Sequence, residues 1–247
     1  MILEIDNFDQ FKIFFDVIYD ITDLIEFQLF EDHIICSILD KAHTRFMSVR
    51  FNAEFFSLYE KGDDESVTLF AEDLHKIIKS VTKLDNVFLE TNENYLICKL
   101  ESRNGNSRIF EFVLPSEHIE SPNPPSIDLP VICDLDLDDL KQSINDLKII
   151  GSHEISFQTS PDALNITSGI EVTTNYISTI PILNSSDESV ASRFSLEYLE
   201  QLLKFNKISK SGTFQLGNNY PLLYSFKDEI MGVEVNGMIA PRMELED

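Results

Sequence analysis

The sequence has no tryptophan, only three cysteines and no long apolar segment. A membrane helix needs about 20 consecutive apolar residues, and no segment approaches that length. The amino-terminal residues also lack the basic start and apolar core of a secretion signal. The cysteines, Cys36, Cys98 and Cys133, lie far apart among aliphatic residues in strand-like segments. We therefore expect a soluble, intracellular protein with buried, reduced thiols that form neither disulfides nor a metal site.

Sequence motifs of catalysis are also missing. The eight glycines are dispersed, so they build no phosphate-binding loop, and no G-x-S-x-G, P-loop or G-x-G-x-x-G motif occurs. The five histidines do not have the spacing of metal ligands. The acidic segment at residues 134–139 lacks the glycine and final glutamate of a calcium loop. We predict no enzymatic activity, no cofactor and no metal. The alternative is an enzyme on a duplicated α+β scaffold, with catalytic residues far apart in the sequence.

Positive charge is scarce as well. Against 43 acidic residues stand 19 lysines and arginines, which gives a formal net charge of −24 and an isoelectric point near 4.4. Nucleic-acid-binding proteins are commonly basic, so the total charge argues against a generic one. A phosphate backbone nevertheless responds to the local field, and a basic stripe on an acidic body can bind DNA. The distribution of the lysines is therefore more informative than their number.

Four pairs of β-rich segments follow one another along the chain, each around a polar turn. They cover residues 25–39, 87–100, 154–168 and 213–226, and they start at intervals of about 60 residues. A helix-like segment precedes each pair. Five prolines fall within residues 114–130, a density that excludes a helix or a central strand. The pattern predicts a repeated supersecondary unit, with a linker at 114–130 between similar domains at 1–113 and 131–247.

The first two helix-like segments bury apolar residues at spacings of three and four. The first covers residues 7–23, and Lys12 lies off its apolar face. Its predicted buried residues are Phe8, Phe11, Phe15 and Ile18. The second begins at Ala71 and runs through Val81. It presents Lys76, Lys79 and Lys83 at positions i, i+3 and i+7, the cleanest basic face in the chain.

The third and fourth helix-like segments cover residues 137–150 and 195–207. Gly151 is a suitable stop for the third, and Ser195 a suitable cap for the fourth. The outward lysines are Lys141 and Lys148 on the third and Lys204 and Lys207 on the fourth. A lysine at a helix carboxyl end also complements the helix dipole, so a purely structural role stays open for these.

Four segments carry a resemblance to a known family. They are Leu39-Asp40-Lys41-Ala42-His43, Pro125-Ser126-Ile127-Asp128-Leu129-Pro130, Phe194-Ser195-Leu196-Glu197-Tyr198-Leu199 and Met238-Ile239-Ala240-Pro241-Arg242. In this order, on a fourfold repeat, the chain resembles the sliding clamps of DNA replication, the proliferating cell nuclear antigen (PCNA) family, and especially its archaeal members. The resemblance implies an α+β DNA clamp fold with two similar domains, each built from two β-α-β-β-β units. Helices would line a channel, sheets would lie outside, and three chains would close a ring.

The resemblance further implies a polymerase processivity factor that encircles duplex DNA without sequence preference. The phosphate contacts would be Lys12, Lys76, Lys79, Lys83, Lys141, Lys148, Lys204, Lys207 and Lys210. Tyr19, Asn145 and Glu197 stand where members of the family often have basic residues. We therefore expect a channel that is less positive than usual, although a closed ring still retains DNA by linkage.

A groove under the linker is also implied, at which clamps bind a short peptide of polymerases, ligases, nucleases and the clamp loader. By position, the groove residues are Leu39, His43, Phe46, Ile127, Leu129, Pro221, Met238, Ala240 and Pro241. The groove would accept one aliphatic and two aromatic side chains of the peptide. Ordinary core packing is the alternative role of the aliphatic residues, and a satisfied loop histidine is that of His43.

Ring closure in the family joins an edge strand of one chain to an edge strand of the next. Here the edge strands are expected at residues 108–114 and 175–183. The predicted interface residues are Arg108, Ile109, Phe110, Phe112, Tyr176, Ile177 and Ile180. Three identical chains would form the ring, or the chain would be a subunit of a heterotrimeric or checkpoint-type clamp. The compartment would be the cytoplasm or nucleoid of an archaeon, or the nucleus of a eukaryote.

Overall fold

The computed structural model describes residues 1–6, 8–117, 119–124, 126–169, 173–182 and 188–243. The chain divides into two compact units. Unit 1 comprises Met1–Pro124 and Asp228–Val235, and unit 2 comprises Pro125–Lys227 and Asn236–Asp247. The order of elements follows a fourfold β-α-β-β-β repeat, two repeats in each half of the chain. This confirms the α+β repeat that the sequence predicts.

Unit 1 begins with strand β1 (Ile2–Ile5), helix α1 (Phe8–Ile18) and strands β2 (Leu24–Leu29), β3 (His33–Leu39) and β4 (Arg45–Asn52). A 3-10 helix (Ala53–Phe55) and the short strand β5 (Leu58–Glu60) lead to the second repeat. That repeat consists of β6 (Ser66–Phe70), α2 (Ala71–Ser80), β7 (Asp85–Thr91), β8 (Tyr95–Ser102) and β9 (Ser107–Val113). The strands of unit 1 fall into two sheets: β5-β1-β7-β8-β9 form one in that order, and β4-β3-β2-β6 are neighbours in the other.

Unit 2 begins with β10 (Val131–Asp136), α3 (Leu137–Ile149), β11 (Glu154–Ser160), β12 (Ala163–Ser168) and β13 (Ile177–Pro181). The fourth repeat consists of β14 (Ala191–Ser195), α4 (Leu196–Leu202), a 3-10 helix (Leu203–Lys207), β15 (Ser211–Leu216), β16 (Leu222–Asp228) and β17 (Val233–Ile239). The strand orders are β13-β12-β11-β14 and β10-β15-β16-β17. The boundary between the units falls at the end of β16 and inside β17.

Phenylalanine rings account for much of the core of unit 1. The predicted buried residues of α1 are confirmed, and Phe14 is fully buried as well. The ring of Phe14 lies 4.9 Å from that of Phe51 on β4, in an edge-to-face arrangement. The helix ends at Ile18, earlier than predicted, and the amides of Ile21 and Thr22 both donate to its carbonyl in the turn that follows. Asn7, the predicted first residue of this helix, lies outside the described residues.

Of the two helical segments of unit 2, the fourth in the chain departs from the prediction and the third does not. Helix α3 ends before Gly151, whose φ of +76° is accessible to glycine at little cost, so the predicted stop is confirmed. The fourth segment is an α-helix only as far as Leu202 and then tightens into the 3-10 helix. The tighter winding buries Leu203, Phe205 and Asn206 together. Ser195 is the N-cap residue, as predicted, but its hydroxyl makes no capping hydrogen bond within the described structure.

The four predicted β-hairpins are confirmed as the antiparallel pairs β2–β3, β7–β8, β11–β12 and β15–β16. All three cysteines are buried in strands and free, as expected. Burial raises the pKa of Cys98 and of Cys133 to about 12 in each case. Burial also raises the pKa of Cys36, with a contribution from the negative charge of Glu26. These thiols are therefore protonated and unreactive in the folded protein.

The described residues between β9 and β10 form no helix or strand. One side-chain contact ties this segment to unit 1: the Ser121 hydroxyl donates a 2.6 Å hydrogen bond to Oε2 of Glu26, a buried residue of β2. The predicted linker is thus anchored near its middle. Within the part of the chain that the structure describes, no helix is long and apolar enough to cross a membrane.

Candidate functional site

The lysines of the predicted DNA face lie on or beside the helices. In unit 1, Lys12 is on α1, and Lys76 and Lys79 are exposed on α2. In unit 2, Lys141 and Lys148 are exposed on α3, Lys204 and Lys207 lie on the 3-10 helix, and Lys210 directly precedes β15. Helices α1 and α2 pack together within unit 1, and α3 and α4 within unit 2. Each unit therefore presents a two-helix layer that bears lysines.

Lys83 does not belong to the α2 face that the sequence predicts. Helix α2 ends at Ser80, and Val81 is extended, with ψ at 136°. A turn then forms because Oδ2 of Asp85 accepts both the amide and the hydroxyl of Thr82, at 2.8 and 2.9 Å. This side-chain capture of the backbone competes with a further helical turn. The prediction that Lys83 shares a helix face with Lys76 is therefore wrong, although the side chain of Lys83 is exposed.

Lys76, Lys148 and Lys210 form ion pairs with carboxylates among the described residues. The ammonium of Lys76 lies 2.9 Å from Oδ1 of Asp73 and 3.1 Å from Oε1 of Glu72. These hydrogen bonds, that to Asp73 first, raise the pKa of Lys76. In unit 2, the ammonium of Lys148 pairs with Glu200 of α4. Their local positive charge is thus partly neutralised within the chain.

The third pair joins the end of the fourth helical segment to the start of α3. Nζ of Lys210 lies 3.2 Å from Oδ2 of Asp138, while Oδ1 of Asp138 accepts the side-chain amide of Asn206 at 2.9 Å. The hydrogen bond from Lys210 and its positive charge lower the pKa of Asp138. By contrast, five lysines make no ion pair with any residue in the described ranges: Lys12, Lys79, Lys83, Lys141 and Lys207.

A buried aspartate orders the turn that carries His43. Oδ1 of Asp40 accepts the backbone amides of Thr44 and Arg45 at 2.6 and 2.8 Å, and Oδ2 accepts the Thr44 hydroxyl at 2.7 Å. Burial raises the pKa of Asp40, but the hydrogen bonds from Thr44 and Arg45 outweigh it, so the pKa is lower than usual. His43 is held in the left-handed region, with φ at +57°, and its side chain is exposed. Sequence reasoning missed Asp40, although its place within the Leu39–His43 motif was a signal.

The other predicted groove residues differ in exposure. In unit 1, Leu39 is half-buried at the end of β3, whereas Phe46 on β4 is only 3% exposed. In unit 2, Leu129 is buried and packs against Gly217, where an added Cβ would lie 3.1 Å from its Cδ2. The remaining predicted groove residues of unit 2 are half-buried: Ile127, Pro221, Met238, Ala240 and Pro241. Phe46 and Leu129 therefore offer little exposed area for a ligand.

The carboxyl-terminal segment adds backbone pairing to unit 2. The amide of Arg242 donates to the carbonyl of Arg193 on β14 at 2.8 Å, and its guanidinium lies 2.8 Å from Oε1 of Glu154. The chain after β17 is thus fixed along the outer strand of the β13-β12-β11-β14 sheet as far as this residue. This holds Ala240 and Pro241 in place.

Strands with an unpaired edge occur at both positions predicted for the subunit interface. Strand β9 ends one sheet of unit 1, and β13 ends one sheet of unit 2. Ile109 is 61% exposed and Ile177 is 75% exposed, so both edges present apolar side chains. Other predicted interface residues point elsewhere: Ile180 is buried, the Tyr176 hydroxyl donates to Asp146, and Arg108 pairs with Asp85. Phe110 and Phe112 are half-buried, with parallel rings, and Leu183 of the predicted strand lies outside the described residues.

No group of three histidine, cysteine or acidic side chains suited to a metal ion occurs among the residues that the structure describes. An open pocket of about 660 Å³ in unit 1 borders the Ser121–Glu26 anchor and is lined by Glu26, Lys61, Glu65 and Glu120, among others. Mixed charges with no converging nucleophile and base do not form a catalytic arrangement.

Comparison with known proteins agrees with this geometry. Residues 3–121 match the family model described as proliferating cell nuclear antigen, N-terminal domain. The DNA polymerase sliding clamp of Methanothermobacter thermautotrophicus is 28% identical over 235 residues, which cover 94% of either chain.

Solved structures share the fold. The A. fulgidus PCNA, whose structure has the C-terminal region of FEN-1 bound, superposes with a TM-score of 0.85 at 19% identity over 99% of both chains. The PCNA2-PCNA3 complex from Sulfolobus tokodaii gives a TM-score of 0.84 at 23% identity, over 98% of this chain and 99% of the other. Together with the fourfold repeat and the matched relatives, these findings show that the chain belongs to the PCNA family of DNA polymerase sliding clamps.

Proposed function

We propose that this protein is a DNA polymerase sliding clamp that encircles duplex DNA and tethers replication and repair enzymes. The observation that carries the proposal is the fourfold β-α-β-β-β repeat, in which each helical segment bears lysine, in a chain of this family. Its role would be intracellular and non-catalytic. Contacts made by lysine to phosphate carry no sequence information, which suits a ring that must move along any duplex.

The DNA-contact part of the proposal is tested by polymerase stimulation on a primed circular template. We expect the triple change Lys79→Gln, Lys141→Gln and Lys207→Gln to lower stimulation strongly, because exposed lysines that make no ion pair within the described ranges are removed from three helical segments. The matched control changes Lys61, Lys99 and Lys227 to glutamine, with the same loss of charge away from the helices. Equal stimulation by the two triple variants would refute this assignment of the DNA face.

We infer that the partner-peptide groove comprises the residues assigned to it from the family resemblance. The order imposed by Asp40 on the His43 turn and by Arg242 on the carboxyl-terminal segment supports this assignment. The A. fulgidus PCNA binds the C-terminal region of FEN-1, and a short peptide with one aliphatic and two aromatic anchors is the probe. Ile127→Ala combined with Pro241→Ala should abolish binding measured by calorimetry. Ile230→Ala, at a residue that is 97% exposed, should leave affinity unchanged.

For the assembly, we propose a homotrimer in which β9 of one chain pairs with β13 of the next. Exposed apolar side chains on two unpaired strand edges support it, since such edges otherwise promote aggregation. Light scattering over a concentration series should give the mass of three chains, and Ile177→Asp should lower it. Ile230→Asp is the control for an added surface charge. A persistent monomer or dimer of the parent protein would instead favour a heterotrimeric ring, for which the PCNA2-PCNA3 complex of S. tokodaii is a precedent.

A further inference from the structure

The helical segments carry more negative than positive charge. Their carboxylates are Asp9, Asp16, Glu72, Asp73, Asp138, Asp139, Asp146, Glu197 and Glu200. Their lysines are Lys12, Lys76, Lys79, Lys141, Lys148, Lys204 and Lys207. With nine carboxylates against seven lysines, the four helical segments together are slightly acidic and do not present uniform positive charge. How each lysine is partnered therefore decides how strongly it attracts phosphate.

We propose that carboxylates on the helices compete with DNA phosphate for Lys76, Lys148 and Lys210, and that Lys79, Lys141 and Lys207 carry the main contact. The proposal rests on the proposed function and deepens it, because it assigns unequal roles to lysines that the family resemblance treats alike. The competitors are Glu72, Asp73, Asp138 and Glu200. These carboxylates would lower the affinity of the protein for DNA.

The geometry of the pairs supports competition more than chance proximity. Lys148 and Glu200 lie on different helices, α3 and α4, and both side chains are 46% exposed. The pair is therefore open to the solvent side from which a phosphate would approach. Asp138 is fixed by Asn206 as well as by Lys210, so it does not turn away when a second anion arrives.

The physical consequence concerns ion release. A free lysine that binds phosphate displaces a condensed counterion from DNA, and each such contact steepens the dependence of affinity on salt. A lysine that is already paired with a carboxylate must first break that ion pair, so the free energy that it gains from binding phosphate is smaller. An exposed ion pair is weak enough to open readily, which means that the competition tunes the contact without blocking it.

Glu200→Gln is the discriminating change. The glutamine retains an oxygen that accepts a hydrogen bond from Lys148 but removes the competing charge. We expect affinity for a short linear duplex, measured by fluorescence anisotropy at low salt, to rise by about twofold to fivefold. The slope of log affinity against log salt should steepen by up to about 0.9 for each chain whose Lys148 contacts a phosphate. A purely structural pair would leave both quantities unchanged.

Two controls separate local from general effects. Glu93→Gln changes the net charge equally on the exposed turn between β7 and β8, and it should not alter affinity. In a Lys148→Gln background, Glu200→Gln should lose most of its gain, because the lysine through which it acts is gone. Thermal unfolding of each variant checks that the fold is retained.

The outcomes are distinguishable. If the parent protein binds the duplex and stimulates polymerase, but Glu200→Gln behaves like the parent or like Glu93→Gln, the competition is refuted while the clamp function stands. If the gain persists without Lys148, the carboxylate acts by simple repulsion of DNA and the pairing argument fails. If the parent neither binds a duplex at low salt nor stimulates polymerase, the proposed function itself fails.

Discussion

Asp40 offers the sharpest test of how the structure of one turn serves binding. In Asp40→Ala, two backbone amides and the Thr44 hydroxyl lose their acceptor at a position where the carboxylate is 6% exposed. An unpaired buried donor costs about 1–3 kcal/mol, and partial relaxation with entry of water lowers the sum. We therefore expect a loss of about 3 kcal/mol in the free energy of unfolding of unit 1. Urea denaturation measures it.

Asp40→Asn is the matched variant. Its amide oxygen can still accept both backbone amides, so we expect a loss of only about 1 kcal/mol. Because the pKa of Asp40 is lowered in the folded state, its contribution is fully present above the unfolded value of about 3.9. The contribution is lost as the pH falls through the folded value. The stability difference between the parent and Asp40→Ala should thus shrink at low pH.

The functional readout is the affinity for a partner peptide. Without the carboxylate, the turn no longer holds His43 at its positive φ, and we expect Asp40→Ala to weaken peptide binding by about tenfold, or 1.4 kcal/mol. Asp40→Asn should bind nearly as tightly as the parent. Equal stability of the alanine variant and the parent would refute the role of the turn. Unchanged peptide affinity in a destabilised alanine variant would refute its link to the groove.

Three further predictions concern the fold. In Gly212→Ala the new Cβ would lie 2.4 Å from Cε1 of buried Phe226, so thermal unfolding should show a loss of about 1–3 kcal/mol, and an unchanged midpoint would contradict this overpacking. The native protein should not react with a thiol reagent at pH 8, because burial raises the pKa of Cys98 and Cys133 to about 12, whereas all three thiols should react in guanidinium. Arg108→Ala should cost up to about 1 kcal/mol at neutral pH and less under acid conditions. Burial raises the pKa of Asp85, but hydrogen bonds from Thr82 and the charge of Arg108 outweigh it, so the pKa is lowered. The contribution of the ion pair to stability is therefore lost as the pH falls through the pKa of Asp85 in the folded protein. A cost of Arg108→Ala that does not depend on pH would contradict the pairing.

Periodicity was sufficient to find the helices and hairpins but not their ends. Apolar residues at spacings of three and four identify α1 to α4, because burial of one face is what stabilises such helices. Helix ends depend instead on single side chains. Asp85 captures the backbone of Thr82 and ends α2 before Lys83, while Ser195 stands at a cap position without bonding there.

The sequence supplies candidate residues for the DNA face but few of their electrostatic partners. The family resemblance supplies the lysines, and the i−4 and i−3 partners of Lys76 are readable from the sequence. The partners of Lys148 and Lys210 are 52 and 72 positions away, so only the folded chain brings them together. The same holds for the contact of Ser121 with Glu26, which spans 95 positions.

The division of the chain has a consequence for biosynthesis. Unit 1 includes Asp228–Val235, and within it the amide of Asn52 donates to the carbonyl of Gly232 at 2.8 Å. A nascent chain that has emerged only as far as the linker lacks this partner. Unit 1 therefore completes its hydrogen bonding after most of unit 2 has left the ribosome, so the two units mature in nested order and not one after the other. A fragment that ends at the linker would lack residues 228–235 of unit 1 and the hydrogen bond from Asn52 to Gly232. We therefore expect that the two halves of the chain cannot replace one another.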